Sequence, residues 1–119
     1  MKNKSYFSLR RFVHAFNGIR LFIKIERNPL VYIVVMTIVA AFGFYCNLSS
    51  QQWIVLILAI TLVWTAEALN TALEFLADEI SEEYSEGLGK AKDVASGAVL
   101  LAALGAFVVG VIVFASALK

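Results

Sequence analysis

The chain carries an uncharged run from Pro29 to Leu48, PLVYIVVMTIVAAFGFYCNL, and two more mostly apolar runs over 53–77 and 94–118. A helix needs roughly 20 such residues to cross the ~30 Å hydrocarbon core of a bilayer. In lipid the backbone must satisfy its own hydrogen bonds, which makes each such run a helix. Composition agrees, since 61% of the 119 residues are hydrophobic and 16% charged, against about 45–50% and about 25% in soluble domains. A globular fold of this size could not hide so much apolar surface. An ordinary water-soluble enzyme is therefore excluded. One proline and seven glycines exclude a disordered or fibrous chain as well.

The expected fold is an all-α membrane protein with an N-terminal amphipathic surface helix over 6–25. Three transmembrane helices follow over 29–48, 53–77 and 94–118, all within one integral-membrane domain, 1–119. Leu9, Phe12, Val13, Phe16, Ile19 and Ile23 recur at helical spacing, while Arg10, Arg11, His14, Asn17 and Lys24 occupy much of the rest. Such a helix lies in the headgroup plane. Asn28 and Pro29 read as a cap and a first-turn proline. The short polar turn over 47–52 makes the first two spans antiparallel neighbours. The segment Asp78 to Asp93 is charged and loosened by Gly87 and Gly89.

Seven of the ten basic residues precede residue 28. The bias of basic residues toward the cytoplasm puts the N-terminal arm and residues 78–93 on the cytoplasmic side of the membrane. A basic segment that runs straight into an apolar span signals orientation, not nucleic acid. The first 28 residues lack the apolar core and cleavage site of a signal peptide, so insertion without cleavage is expected. Cys46 is the only cysteine, which excludes an internal disulfide. Ala98, Ala102, Ala106 and Gly110 recur at a spacing that lets helix backbones approach closely in lipid.

Chemistry concentrates on the second span. At about 100° per residue, Glu67, Asn70, Thr71, Glu74 and Asp78 share roughly a third of one helix circumference. Charges at depth are expensive and face a bundle interior or a polar partner. Glu26, at the cytoplasmic start of the first span, lies at the same level as the shallow end of this stripe. Paired carboxylates with few other ligands suit Mg²⁺, which takes its remaining ligands from water and substrate phosphates. Lys90 and Lys92, next to Asp93, are point charges suited to a phosphate. On the pattern alone, two readings stay open: a cation, proton or drug pathway, and a phosphoryl-transfer site. No Gly-x-x-x-x-Gly-Lys-Ser/Thr loop exists, since Tyr84 stands where the first glycine belongs. Glu82 and Glu86 read as a solvated acidic loop, and Trp53 as an interfacial anchor.

The run Glu67-Ala-Leu-Asn70-Thr71-Ala-Leu-Glu74, then Asp78, then Lys90-Ala-Lys92-Asp93-Val-Ala-Ser96-Gly-Ala-Val99, resembles the signature of the prokaryotic diacylglycerol kinase and undecaprenol kinase family. Phe12-Val-His-Ala15-Phe-Asn-Gly18-Ile and Glu26-Arg27-Asn28 are similar to its N-terminal motif, and the resemblance runs from about residue 7 to 114. It implies a small homotrimeric membrane kinase with active sites shared between subunits. Such an enzyme moves the γ-phosphate of MgATP to a lipid hydroxyl. By the same resemblance, Glu67 is the base that takes the hydroxyl proton, and Asn70 and Asp78 belong to the catalytic site. Glu26 and Glu74 hold the metal, and together with His14, Glu83, Tyr84, Ser85, Lys92 and Asp93 they contact the nucleotide. Glu67 and Ser96 contact the lipid.

The chain departs from the family pattern at three places. Phe7 stands where some members have arginine, His14 where some have tyrosine, and the loop Ser85-Glu86-Gly87-Leu88-Gly89 lacks the usual histidine. Glu26-Arg27-Asn28 looks like the undecaprenol branch, which makes undecaprenol the expected substrate and diacylglycerol the alternative. A small proton or cation transporter is the reading from a different class.

Overall fold

The structure, a computed structural model, describes the backbone of residues 4–26 and 29–119 and the side chains of 9–26 and 30–119. The expected cap at Asn28, its neighbour Arg27 and the side chain of Phe7 lie outside the described residues. Four helices follow one another: α1 (Lys4–Ile25), α2 (Pro29–Tyr45), α3 (Ser50–Ile80) and α4 (Glu86–Ala117). No strand occurs among the described residues. Two compact units divide the chain within α2, at residues 1–36 and 37–119.

In the first unit, α1 forms where the helical spacing places it, starting at Lys4 instead of residue 6. Its apolar stripe stays exposed: Leu9 is 76% accessible, Phe12 67% and Phe16 71%. Water would penalise such a stripe, and an acyl-chain boundary would not. The N–H of Glu26 donates to the carbonyl of Phe22 at 3.0 Å, adding one more helical bond beyond Ile25.

In the second unit the chain leaves α2 earlier than the apolar run suggests. Asn47 adopts φ 54°, a left-handed conformation that asparagine tolerates better than most residues. The N–H of Asn47 donates to the Phe44 carbonyl at 3.2 Å, and that of Leu48 to Gly43 at 3.3 Å. This is the Schellman pattern, which ends a helix by satisfying its last carbonyls. Leu48 then folds back into the core instead of continuing a span. Ser49 starts α3 through a reciprocal capping box with Gln52: the Ser49 N–H donates to Gln52 Oε1 at 2.8 Å, and the Gln52 N–H to Ser49 Oγ at 3.2 Å.

The other helix ends also differ from the limits of the apolar runs. The segment 78–93 is mostly helical, and the break is confined to Ser81–Ser85. A helix does not end on leaving lipid; it ends where its terminal groups find other partners. The Ser81 N–H closes α3 on the Ala77 carbonyl at 3.1 Å. The Ser85 hydroxyl opens α4 by accepting from the Leu88 N–H at 3.1 Å. That cap offsets part of the cost of Gly87 and Gly89, about 1 kcal/mol each relative to alanine.

The 31 residues of α3 and 32 of α4 are about 46–48 Å long, so each can cross a bilayer and extend beyond it. Among the described residues these two helices alone are long and apolar enough to cross a membrane by themselves; the 17 residues of α2 reach about 26 Å, short of a ~30 Å hydrocarbon core. α3 and α4 pack as an antiparallel hairpin. Leu48, Leu56 and Val113 form the core near the α2–α3 turn, with Val39, Trp53, Val109 and Phe114 against them. Aromatic rings gather at the same end: Phe42 lies 5.0 Å from Phe114, and Phe44 5.0 Å from Trp53. Among the described residues the buried ones are Gly43, Leu48, Leu56, Ala77, Ala102 and Val113. The chain's own packing therefore leaves most of the apolar surface of the described residues uncovered.

Gly43 admits this packing, because a Cβ there would sit 2.5 Å from Trp53 Cη2 and 3.1 Å from Leu48 Cδ1. Gly43→Ala should cost about 1–3 kcal/mol as an overpacked site. Asn47→Ala should cost about 1–2 kcal/mol through the left-handed backbone. Detergent unfolding in mixed micelles measures both, and a variant as stable as the wild type would show that its contact does not hold the turn.

Candidate active site

The helical period brings Glu67, Asn70, Thr71, Glu74 and Asp78 onto one face of α3. The first four are half-buried and Asp78 is exposed. Asn70 Nδ2 donates to Glu74 Oε1 at 3.1 Å, one turn along the helix. This bond fixes the amide orientation, since only the nitrogen can donate to a carboxylate. It leaves Asn70 Oδ1 buried with no partner among the described residues, a condition that costs about 1–3 kcal/mol. Glu67 stands three residues before Asn70 on the same face.

At the charged end of the face, Lys92 Nζ donates to Asp78 Oδ1 at 3.0 Å and ties α4 to α3. The two side chains are 43% and 65% exposed, so solvent screens the pair and its contribution to stability is small. Its importance is positional, for it holds a cation at the end of the acidic stripe. Lys90 pairs with Glu86 at 3.6 Å on the open surface of α4.

Between α3 and α4 runs a cavity of about 480 Å³. Leu62, Leu69 and Leu73 line one wall, Ala95, Ala98 and Leu101 the other, with Thr65 and Asn70 as the polar members. The Thr65 hydroxyl donates to the Thr61 carbonyl at 2.8 Å. The cavity thus has apolar walls and borders the acidic face.

Other expected site residues are placed differently. Glu83, Tyr84 and Ser85 form the exposed break between the helices, where the Glu83 N–H donates to Ser81 Oγ at 3.1 Å. Ser85 already has a role as the α4 cap. The Tyr84 ring overlies Gly89, where a Cβ would come within 2.9 Å of Cε1. Asp93 and Ser96 are exposed on α4. His14, exposed, and Glu26, half-buried, belong to the first unit.

The donor set of the second unit suits Mg²⁺ in one respect. Glu74 spends one oxygen on the Asn70 amide, and a hard carboxylate oxygen with phosphate and water ligands is the usual Mg²⁺ arrangement. No three His, Cys, Asp or Glu side chains converge among the described residues. A cation here would therefore take one carboxylate from α3 and its other ligands from elsewhere.

Sequence reading missed three features: the Asp78–Lys92 tie, the Tyr84–Gly89 approach and the cavity. A signal existed for the tie. An acid at the end of one span and a base at the start of the next meet when the spans are antiparallel. The other two depend on side-chain directions that spacing does not encode.

A family profile described as prokaryotic diacylglycerol kinase matches residues 13–114. The chain is 33% identical over 105 residues to an undecaprenol kinase of Bacillus subtilis, covering 88% of this chain and 85% of that one. It is 36% identical over 100 residues to a diacylglycerol kinase of Synechocystis, covering 83% of this chain and 57% of the other. To a diacylglycerol kinase of Escherichia coli it is 35% identical over 69 residues, covering 58% and 57%. The matched part thus spans a little over half the length of the two diacylglycerol kinases.

Asp78→Asn and Lys92→Met, alone and together, should each cost under about 1 kcal/mol in detergent unfolding, with coupling no larger, because the pair is solvated. Coupling of several kcal/mol would show that assembly removes the pair from water.

Proposed function

The chain belongs to the prokaryotic diacylglycerol kinase family, and from that premise we propose that this integral-membrane lipid kinase phosphorylates undecaprenol, with ATP as donor, to give undecaprenyl phosphate. Kinase activity and the ATP donor follow from the family. The acceptor is a finer reading, supported by the similarity to the Bacillus subtilis undecaprenol kinase over most of both chains. Diacylglycerol is the second acceptor, favoured by the similarity to the two diacylglycerol kinases.

One observation carries the reading: a single face of α3 joins half-buried carboxylates beside an apolar cavity to a lysine held at its charged end. A lipid alcohol needs the first environment and a nucleotide phosphate the second. A proton or cation pathway would use the carboxylates but has no use for Lys92 at the surface.

In this mechanism the lipid hydroxyl oxygen attacks the γ-phosphorus. The new O–P bond forms as the bond to the bridging oxygen of the β-phosphate breaks, and ADP leaves. Glu67 accepts the hydroxyl proton as general base. Asn70 steadies the Glu74 carboxylate through its amide, and Asp78 presents Lys92 to the phosphates. Glu26 and Glu74 would hold Mg²⁺, which when bound neutralises charge on the phosphates. His14, Glu83, Tyr84, Ser85 and Asp93 contact the nucleotide, and Ser96 the lipid. The active sites are shared between the subunits of a homotrimer. This fits a chain that buries only six of its described residues. The site and the N-terminus face the cytoplasm across the inner membrane, as the basic residues before residue 28 favour.

Glu67→Gln should lower turnover of undecaprenol by about 10²–10⁴-fold, the usual contribution of a general base. Glu74→Gln retains an acceptor for Asn70 but removes the metal-binding charge. It should raise the Mg²⁺ concentration needed for half-maximal rate at least tenfold. Purified variants in mixed micelles, assayed with undecaprenol and diacylglycerol side by side, measure both effects. Unchanged assembly size and detergent stability serve as the folding control. Full turnover in Glu67→Gln, or an unchanged Mg²⁺ requirement in Glu74→Gln, would refute the assigned role.

A further inference from the structure

The basic side chains of α1 are not spread evenly around its apolar stripe. At about 100° per residue, Leu9, Phe12, Phe16, Ile19 and Ile23 share a face about 80° wide. Arg10, Val13, Asn17, Arg20 and Lys24 follow one another at steps of three and four residues and form a row along one edge of that face. Ala15 and Phe22 hold the same angular distance on the other edge, and Glu26, just past the helix, falls on that side too. No Asp or Glu occurs from Lys4 to Ile25.

Arg20 and Lys24 stand one turn apart in the row, and both are exposed. Neither is in an ion pair among the described residues. Like charges at that spacing repel and weaken an isolated helix. The two cations border Phe16 and Ile23, whose side chains stay 71% and 54% exposed. A stripe of this kind lies at the acyl-chain boundary, with its edges at the headgroups. From such an edge, arginine and lysine lay their stems over apolar surface and carry their charges into the headgroup layer. Phosphate oxygens there accept from guanidinium and ammonium groups. A headgroup with net negative charge also relieves the repulsion between the two cations, which a zwitterionic one does not.

We propose that the Arg20–Lys24 edge of α1 is a binding surface for anionic phospholipid, and that the Ala15–Phe22 edge is not. Charge complementarity fixes the occupant. A nucleotide offers the same phosphate chemistry, but this row borders the stripe that enters the acyl chains, and a lipid satisfies both parts at once. The surface is independent of the acceptor of the kinase reaction and adds a partner that the reaction does not consume.

The test uses the full-length protein in phosphatidylcholine bilayers. In a Cys46→Ser background, a bimane fluorophore is attached at Val13→Cys, within the basic row, or at Ala15→Cys, on the other edge. Quenching by brominated phosphatidylglycerol is compared with quenching by brominated phosphatidylcholine at equal mole fraction. At Val13→Cys the anionic lipid is expected to be enriched about fivefold, the factor that one basic residue contributes near an anionic surface. High salt should remove most of that enrichment, and Ala15→Cys should show none. Arg20→Gln with Lys24→Gln should abolish it, whereas the charge-conserving pair Arg20→Lys with Lys24→Arg should keep it. Equal quenching by the two lipids at Val13→Cys, or the same enrichment at Ala15→Cys, would overturn the proposal. So would enrichment that survives the double glutamine variant. Displacement of phosphatidylglycerol from Val13→Cys by MgATP would assign the edge to the nucleotide and overturn it as well. The salt series needs no change at Arg20 or Lys24, so it decides the matter even where the glutamine variant fails to assemble.

Discussion

Placing a charge in hydrocarbon costs several kcal/mol unless it faces a partner or a polar site, and the arrangement of this chain follows from that cost. Within residues 53–73 of α3 and 94–114 of α4, Glu67 is the only charge. The remaining acids and the lysines lie at or beyond the ends of those spans. Their crowding at one end is a consequence of the same penalty, because water is available there to solvate them. The result is a helix pair with apolar flanks and one charged end.

That end is organised by few contacts. The Asn70 amide turns one Glu74 oxygen inward, and Asp78 holds Lys92 across to α4. Neither contact contributes much stability. Their effect is orientation, and orientation is what phosphoryl transfer asks of a protein, since catalysis there consists mostly of positioning and charge stabilisation. The opposite end is held by shape: Leu48 and Trp53 pack where Gly43 lacks a side chain. Rigid packing at one end and polar ties at the other suit a membrane enzyme whose lipid substrate approaches from the side.

The α-helical class, the surface helix and the acidic face of α3 were legible in the sequence because they depend on composition and a 3.6-residue period. The ends of the helices were less so. α2 stops at Tyr45 although its apolar run continues, because Asn47 takes a left-handed conformation and lets Leu48 turn inward. α4 begins at Glu86, well before its apolar run, because the Ser85 hydroxyl caps it despite two glycines. Hydropathy reports where lipid is, whereas caps decide where a helix starts. The pairing of Asp78 with Lys92 needed the antiparallel hairpin before it could be read. The unpartnered oxygen of Asn70 needed the Glu74 contact that fixes the amide.

The central claim is that the face of α3 transfers phosphate to a lipid and does not conduct ions. Its most direct test reconstitutes the purified protein in liposomes of native lipid extract, supplies γ-labelled ATP with Mg²⁺, and follows label and internal pH together. The account predicts label in the organic phase, on an alcohol-derived phospholipid, with no change in proton flux relative to empty liposomes. Label confined to the water phase, together with proton or cation flux, would contradict it.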